Sequence, residues 1–312
     1  MTLIKRKKIV PPNFLIGGTA AGGTSFLAAT LIQHPQIYLP KDMRPEPHFF
    51  YKSWEYKKGI EYYLEKWFSS VPKECIAIGE RSSSYLFGGR DVAKKIAAAF
   101  PNIKFIFTLR NPIERTWANY RFTVLQGLEA LSFEDALEQE EYRIKNQSGI
   151  WAEIQPYNYT GRGFYGSQLL QFLEFFPIEQ ILLIKSENLS KQTDEELMRI
   201  YSYLGLTELN FVAHRPTDHT SVNIIDPALQ MDLRSYFSDR FDKVIEATRK
   251  EEKLMPFIGS DEDRQAIEKL QRNIKGKKED MTQKDRAYLR NLFSEDMKTL
   301  KSIVNFDITD WK

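Results

Sequence analysis

The chain has few of the groups that redox or metal chemistry requires. Among its 312 residues there is one cysteine, Cys75, and there are four histidines. A single thiol cannot form an intrachain disulfide, and a thiolate metal site needs more ligands than one. The sequence therefore predicts no disulfide framework and no bound metal, and the lone thiol fits a reducing compartment.

Long apolar runs and a strong charge excess are also absent. No run reaches the length that spans a bilayer, and the apolar run at 14–16 is too short for a secretory signal. The 44 Lys and Arg residues nearly balance the 42 Asp and Glu residues, which excludes a general nucleic-acid binder. We expect a cytoplasmic protein with no membrane or nucleic-acid partner, whose residues 1–12 form a flexible basic arm.

A third absence is a lysine in the glycine-rich loop that follows the first apolar run. Gly18 and Gly23 have the spacing of an ATP-type phosphate loop and Ser25 follows them, but Thr24 stands where that loop has lysine. The N–H groups of Gly22, Gly23, Thr24 and Ser25 are still expected to face an anion at a helix N-terminus. Two interpretations remain open: a phosphate cradle without its own charge, or a tight turn with no ligand.

Apolar runs alternate with amphipathic segments along most of the chain. Strands are predicted at 14–16, 37–39, 76–79, 103–109 and 180–184. Helices are predicted at 23–33, 54–68, 91–100, 112–126, 167–176, 226–250 and 262–272. This alternation indicates an α/β fold of three layers, with a central parallel sheet flanked by helices. The glycine loop, Glu80 and Arg110 each follow a predicted strand, so we expect them to meet at the carboxyl edge of the sheet.

Several motifs occur in an order that resembles one family. They are Gly18 to Leu27, Pro45-Glu46-Pro47-His48-Phe49-Phe50, Gly79-Glu80-Arg81-Ser82-Ser83-Ser84-Tyr85-Leu86, Leu109-Arg110-Asn111-Pro112, Gly161-Arg162-Gly163-Phe164-Tyr165 and Tyr203-Leu204-Gly205-Leu206. The chain resembles the sulfotransferases that use 3′-phosphoadenosine 5′-phosphosulfate, particularly the heparan sulfate branch and its bacterial relatives. The resemblance implies a P-loop-type fold in one domain over 1–312, with a helical C-terminal insertion at about 213–270.

The resemblance also implies the reaction and its residues. A sulfuryl group moves from the nucleotide to a hydroxyl or amine of a small molecule or carbohydrate, and no metal takes part. A base must take the acceptor proton, and Glu46 matches the family's base, with His48 two residues on. Arg81 stands where the family has a cation, usually lysine, near donor and acceptor.

Further positions match the family's nucleotide contacts. Arg110 corresponds to the residue that binds the 3′-phosphate, and a guanidinium suits that bidentate contact. Ala118 replaces a serine that the family usually has, and Asn119 is a candidate substitute. Lys275-Gly276-Lys277 resembles a nucleotide-binding loop.

The glycine loop departs from the family, because Ala20 and Ala21 stand where relatives carry basic residues. Lys41, Arg44 and Arg81 are the candidates to supply the missing charge. Three hypotheses remain: an active sulfotransferase with a relocated cation, a sulfonucleotide-binding protein that has lost catalysis, and a P-loop nucleotide phosphotransferase. Thr24 in place of lysine and the lack of a clear magnesium-binding Asp disfavour the third.

Overall fold

A five-stranded parallel sheet forms the centre of the protein. The computed structural model describes residues 9–41, 46–214, 222–250, 252–275 and 279–311. The strands are β1 (Phe14–Gly18), β2 (Ile37–Tyr38), β3 (Ala77–Arg81), β4 (Lys104–Leu109) and β5 (Ile181–Lys185). Their order is β2-β3-β1-β4-β5, and every neighbouring pair is parallel. Helices connect the strands, as parallel neighbours require.

The helices lie between the strands and after them. They are α1 (Thr24–Leu31), α2 (Ser53–Tyr56), α3 (Gly59–Phe68), α4 (Gly89–Ala99), α5 (Pro112–Leu125), α6 (Phe133–Glu138), α7 (Glu140–Asn146), α8 (Ile150–Ile154), α9 (Tyr165–Leu173), α10 (Ser186–Lys191), α11 (Thr193–Leu204), α12 (Pro227–Phe237), α13 (Phe241–Arg249), α14 (Asp261–Asn273) and α15 (Gln283–Ile303). Short 3₁₀ turns add Gly161–Gly163, Ile178–Gln180, Ser238–Arg240 and Met255–Phe257.

Successive strand residues point to opposite faces of the sheet, and each face has its own apolar layer. Leu15 and Phe105 belong to a cluster with side chains of α3, α4 and α9. Phe14 and Ile106 belong to a second cluster with side chains of α1, α10 and α11. Helices therefore cover both faces, which confirms the predicted three-layer α/β fold.

Several predicted boundaries were wrong for local reasons. The helix predicted at 54–68 is two helices, and Gly59, the first residue of the second helix, has a φ of 85° that breaks regular geometry. The helix predicted at 226–250 is interrupted at Ser238, where φ is 50°. Glu80 and Arg81 were expected after a strand, but they are the last two residues of β3.

The chain divides into two compact units. One comprises residues 1–115, 161–216 and 292–312 and contains the whole sheet, and the other comprises 116–160 and 217–291. The second unit has its own helical core, in which residues of α12, α13 and α14 pack together. That one domain spans 1–312, with an insertion at 213–270, stays a prediction.

Candidate active site

The glycine loop joins β1 to α1, and several of its backbone N–H groups at the start of the helix have no acceptor among the described residues. Gly23 has a φ of 91°, which glycine adopts easily, and caps the helix. The Gly22 N–H is used inside the loop, because it donates to the Thr19 carbonyl at 2.9 Å. The N–H groups of Gly23, Thr24 and Ser25 have no hydrogen-bond partner among the described residues. Donors of this kind at a helix N-terminus suit an anion.

Arg81 connects this loop to Glu46. Its Nη1 atom donates to the Ser25 Oγ atom at 3.1 Å and also contacts the Glu46 carboxylate. The Arg81 and Glu46 side chains are only 8% and 16% exposed, so the pair is largely shielded from water. The structure thus places the predicted base and one predicted replacement cation directly beside the loop.

Glu46 has a second set of contacts from the segment after β3. Its Oε2 atom accepts from the Ser83 N–H at 2.7 Å and from the Ser83 hydroxyl at 2.8 Å. Burial by itself raises the pKa of Glu46, but the nearby His48 and Arg81 side chains and the Ser83 hydrogen bonds hold that pKa below its ordinary value. Glu46 is therefore a carboxylate at neutral pH.

His48 lies against the same carboxylate. Its Nε2 atom is 3.2 Å from Glu46 Oε2, while Nδ1 is buried without a hydrogen-bond partner among the described residues. Burial is the main cause that lowers the pKa of His48 to about 4; the Glu46 charge opposes this shift, and the charges of Lys52, Arg162 and Arg81 act with it. The ring is neutral at pH 7. Because a carboxylate only accepts, the proton belongs on Nε2.

Arg110 approaches the loop from the end of β4. Its Nη1 atom donates to the Ala21 carbonyl at 3.3 Å. A guanidinium has five N–H donors, and this is its one hydrogen bond within the described parts of the chain. Its remaining donors match the predicted contact with a phosphate.

Six predicted site residues remain, and the described contacts do not test their roles. Lys41 is exposed and forms no hydrogen bond or ion pair with another described residue. Asn119 lies in the second unit, and its Nδ2 atom is 3.5 Å from Thr123 Oγ1 on the same helix. In that unit the backbone of Lys275 forms an isolated parallel β-bridge with the backbone of Asn223. Arg44, Gly276 and Lys277 lie outside the described residues. The nucleotide roles of this group stay predictions.

Three contributors were not singled out from the sequence. Ser83 holds Glu46, and Ser82 accepts the His48 N–H at 2.7 Å. Arg162 is buried, with Nη1 3.3 Å from Ser84 Oγ and its guanidinium 4.2 Å from the Phe87 ring. All three stand in motifs recognised in the sequence, so position within those motifs was the available signal.

The described residues contain neither a candidate metal-binding group nor a candidate membrane-spanning helix. No group of three or more His, Cys, Asp or Glu side chains there is placed to hold a metal ion. No helix in the described ranges is long and apolar enough to cross a membrane.

Comparison with known proteins decides the family. Residues 11–301 match the sulfotransferase domain family. The chain belongs to this family. The match spans both compact units and includes the glycine loop, Glu46, Arg81 and Arg110.

The sulfotransferase chain is also similar to individual relatives. It is 29% identical over 216 residues to the bifunctional heparan sulfate N-deacetylase/N-sulfotransferase 1 of Caenorhabditis briggsae, covering 67% of this chain and 24% of that protein. It is 29% identical over 203 residues to the human heparan sulfate glucosamine 3-O-sulfotransferase 3B1, covering 64% of this chain and 47% of that protein. The chain therefore matches less than half the length of these two relatives.

A solved structure has the same fold. A sulfotransferase from Alicyclobacillus acidocaldarius aligns over 97% of this chain and 99% of its own, with a TM-score of 0.69 and 23% sequence identity. The comparison confirms the P-loop-type sulfotransferase fold.

Proposed function

We propose that this protein transfers a sulfuryl group from 3′-phosphoadenosine 5′-phosphosulfate to an acceptor hydroxyl or amine. One observation carries the proposal: Arg81 contacts both Ser25 at the phosphate loop and the carboxylate of Glu46. A cation, a base and a helix N-terminus therefore meet within a few ångströms. Proximity of the reacting groups and charge fixed in advance both accelerate group transfer from a nucleotide.

The donor would lie on the loop. The Gly23, Thr24 and Ser25 N–H groups would hold its 5′-phosphate, and Arg110 would hold the 3′-phosphate. Arg81 would face the sulfonate and the bridging oxygen, where negative charge grows as the bond breaks. Ala21 has no charge to offer there, so Arg81 supplies the cation that the loop lacks.

In the transfer, the acceptor oxygen or nitrogen forms a bond to sulfur while the bond from sulfur to the bridging phosphate oxygen breaks. The acceptor proton passes to the Glu46 carboxylate, and the electron pair of the broken bond remains on the departing adenosine 3′,5′-bisphosphate. When Arg81 turns towards the sulfonate, its contact with Glu46 weakens and the carboxylate becomes a stronger base. Donor binding thus activates the base.

The acceptor is proposed from the relatives. The two named above carry heparan sulfate in their names, so glycosaminoglycan chains are the first acceptors to test. Simple alcohols, phenols and amines complete the panel, because the described site does not specify the acceptor class.

The test uses ³⁵S-labelled donor and this panel of acceptors, together with calorimetry of adenosine 3′,5′-bisphosphate. Label incorporation into one acceptor class, with binding of the bisphosphate, supports the proposal. Binding without transfer to any acceptor favours the second candidate, a protein that binds the nucleotide without catalysis. The observation behind that candidate is the pair of alanines at 20 and 21. If the bisphosphate does not bind, both candidates fail.

A further inference from the structure

His48 has a backbone conformation that needs outside support. Its φ is 45°, in the left-handed region that residues with a Cβ rarely adopt. Its carbonyl accepts from the N–H groups of Tyr51 at 3.0 Å and Lys52 at 2.8 Å, and its N–H donates to Ser82 Oγ at 2.7 Å. Both ends of this residue are therefore held in place, and the ring is directed to Glu46.

Ser82 is itself oriented by a buried carboxylate. Its hydroxyl donates to Glu80 Oε2 at 2.8 Å, so the same oxygen keeps a lone pair for the His48 N–H. The Tyr85 and Tyr63 hydroxyls donate to the other Glu80 oxygen at 2.7 and 3.2 Å. Glu80 has no exposed surface. The Ser82 and Tyr85 hydroxyls thus hold one carboxylate oxygen each, and the Tyr63 contact is the longest of the three.

A carboxylate is an unfavourable choice for such a place if packing is its only task. Burial is the main cause that raises the pKa of Glu80 to about 7, and the charge of Glu46 acts in the same direction. An apolar side chain would avoid that desolvation cost. The Glu80 carboxylate has a use besides packing, because it orients the Ser82 hydroxyl.

We propose that Glu80 and Ser82 are positioning residues, which act through the His48 backbone to hold the His48 ring against Glu46. The relay runs from Glu80 to Ser82, from Ser82 to the His48 N–H, and from His48 Nε2 to Glu46. Its catalytic consequence rests on the proposed function, since Glu46 is the base there. The relay itself rests only on the contacts of the described residues.

Other charged groups also face the relay. The His48 ring faces Glu46, Lys52, Arg162 and Arg81, and Glu80 faces Tyr63, Tyr85 and Glu46. The variants tested below leave all of these groups in place except Glu80 itself and the Tyr63 control.

The kinetic test compares S82A, E80M and the double variant. S82A removes one hydroxyl, and E80M removes the acceptor oxygens but keeps a side chain of similar length. Each is expected to lower kcat about 10- to 100-fold, the cost of a misplaced catalytic group, with KM for the donor within about twofold. Because both interrupt one relay, the double variant should lose little more than either single variant.

Y63F is the matched control, since it removes a hydroxyl from the same carboxylate but leaves the relay intact. Its kcat should stay within about twofold of the original chain. An S82A enzyme with unchanged kcat would overturn the proposal. The proposal would also be overturned if the fold-loss of kcat in the double variant equalled the product of the two single losses, or if Y63F lowered kcat as much as E80M.

A second measurement is independent of the proposed function. NMR titration of the histidine rings between pH 5 and 8, with H48Q to assign the signal, follows the charge of His48 directly. The ring should remain neutral throughout in the original chain and in Y63F, because its pKa is about 4. In S82A the released ring should titrate closer to the ordinary value of about 6.5.

The two measurements separate the possible failures. If no acceptor is sulfated but S82A releases the His48 ring, the relay stands and the proposed function fails. If transfer occurs but the S82A ring stays neutral, the relay is wrong and the function stands. Circular dichroism checks that each variant folds, and S82A decides the outcome if E80M does not fold.

Discussion

The glycine loop and the end of β3 contribute opposite things to the same site. The loop offers N–H groups and a helix N-terminus, but its central residues Ala20 and Ala21 carry no charge. The end of β3 offers Arg81, and the serines that follow hold Glu46 and His48. Backbone recognition and charge therefore come from different strands. In the proposed site, Arg81 therefore offers the cation that the loop itself does not carry.

The largest predicted effect is a loss of turnover without a loss of nucleotide affinity, and it concerns Glu46. E46Q removes the proposed base but keeps the shape of the side chain. We expect turnover to fall about 10²- to 10⁴-fold, the usual contribution of a general base, while bisphosphate affinity stays within about twofold. Steady-state kinetics and calorimetry measure the two quantities. E65Q, on an exposed position of α3, is the matched control, and an E46Q enzyme with normal turnover would remove Glu46 from this role.

Arg110 tests the loop side of the comparison. R110A deletes the guanidinium whose free donors are proposed to bind the 3′-phosphate. Loss of a charged hydrogen bond costs about 1.5 to 3 kcal/mol, so bisphosphate binding should weaken roughly 10- to 150-fold. Calorimetry at fixed salt measures the change. R90A, which removes an exposed arginine of the first unit, should bind normally, and equal affinities for R110A and R90A would contradict the assignment.

His48, which the serine after β3 holds, should make the free energy of unfolding depend on pH, whereas the glycine loop has no titratable side chain. The pKa of His48 is lowered to about 4 in the folded protein, against about 6.5 in an unfolded chain. Between these values only the unfolded state binds the proton, so this residue lowers stability as the pH falls. H48Q removes the effect. From pH 7 to pH 5 its free energy of unfolding should therefore rise by about 2 kcal/mol relative to the original chain.

Urea unfolding at a series of pH values measures this difference. H214Q replaces an exposed histidine and is the control for the effect of losing an imidazole on the free energy of unfolding at each pH. A constant difference between H48Q and the original chain would mean that His48 is not held neutral.

The smallest predicted effect comes from returning charge to the loop. A21K adds the lysine that the family resemblance implies at this position, and we expect bisphosphate binding to tighten about 10-fold, the lower end for a charged hydrogen bond. A29K adds the same charge at an exposed position of α1 and serves as the control. Calorimetry of both variants at equal salt measures the gain. Equal tightening by both lysines would indicate a general charge effect rather than a loop contact.

Sequence patterns were sufficient for the fold and for part of the site. The buried run of β1 is apolar and that of β4 is apolar except for Thr108, and these runs alternate with helical segments, so the parallel sheet was predictable. Strand ends were less so, because Glu80 and Arg81 are polar and look like loop residues, although they complete β3. Polar residues therefore indicate the end of a strand only where their backbones no longer pair with the neighbouring strand.

The contacts within the site were harder to predict than its members. Glu46 meets Ser83 across 37 positions of sequence, and Arg81 meets Ser25 across 56. Serines are common in turns, so nothing in their spacing distinguished Ser82 and Ser83 from ordinary turn residues. Which cation reaches the loop depends on side-chain direction at the end of β3, which only the folded structure provides.

The central claim is that Arg81 supplies the charge missing from the glycine loop. Calorimetry of adenosine 3′,5′-bisphosphate with R81A and with the double variant R81A/A21K, at one salt concentration, tests it most directly. The account predicts that R81A binds about 10-fold or more weakly than the original chain, and that adding lysine at position 21 restores most of the loss. Unchanged binding by R81A, or a loss that the new lysine does not repair at all, would contradict it.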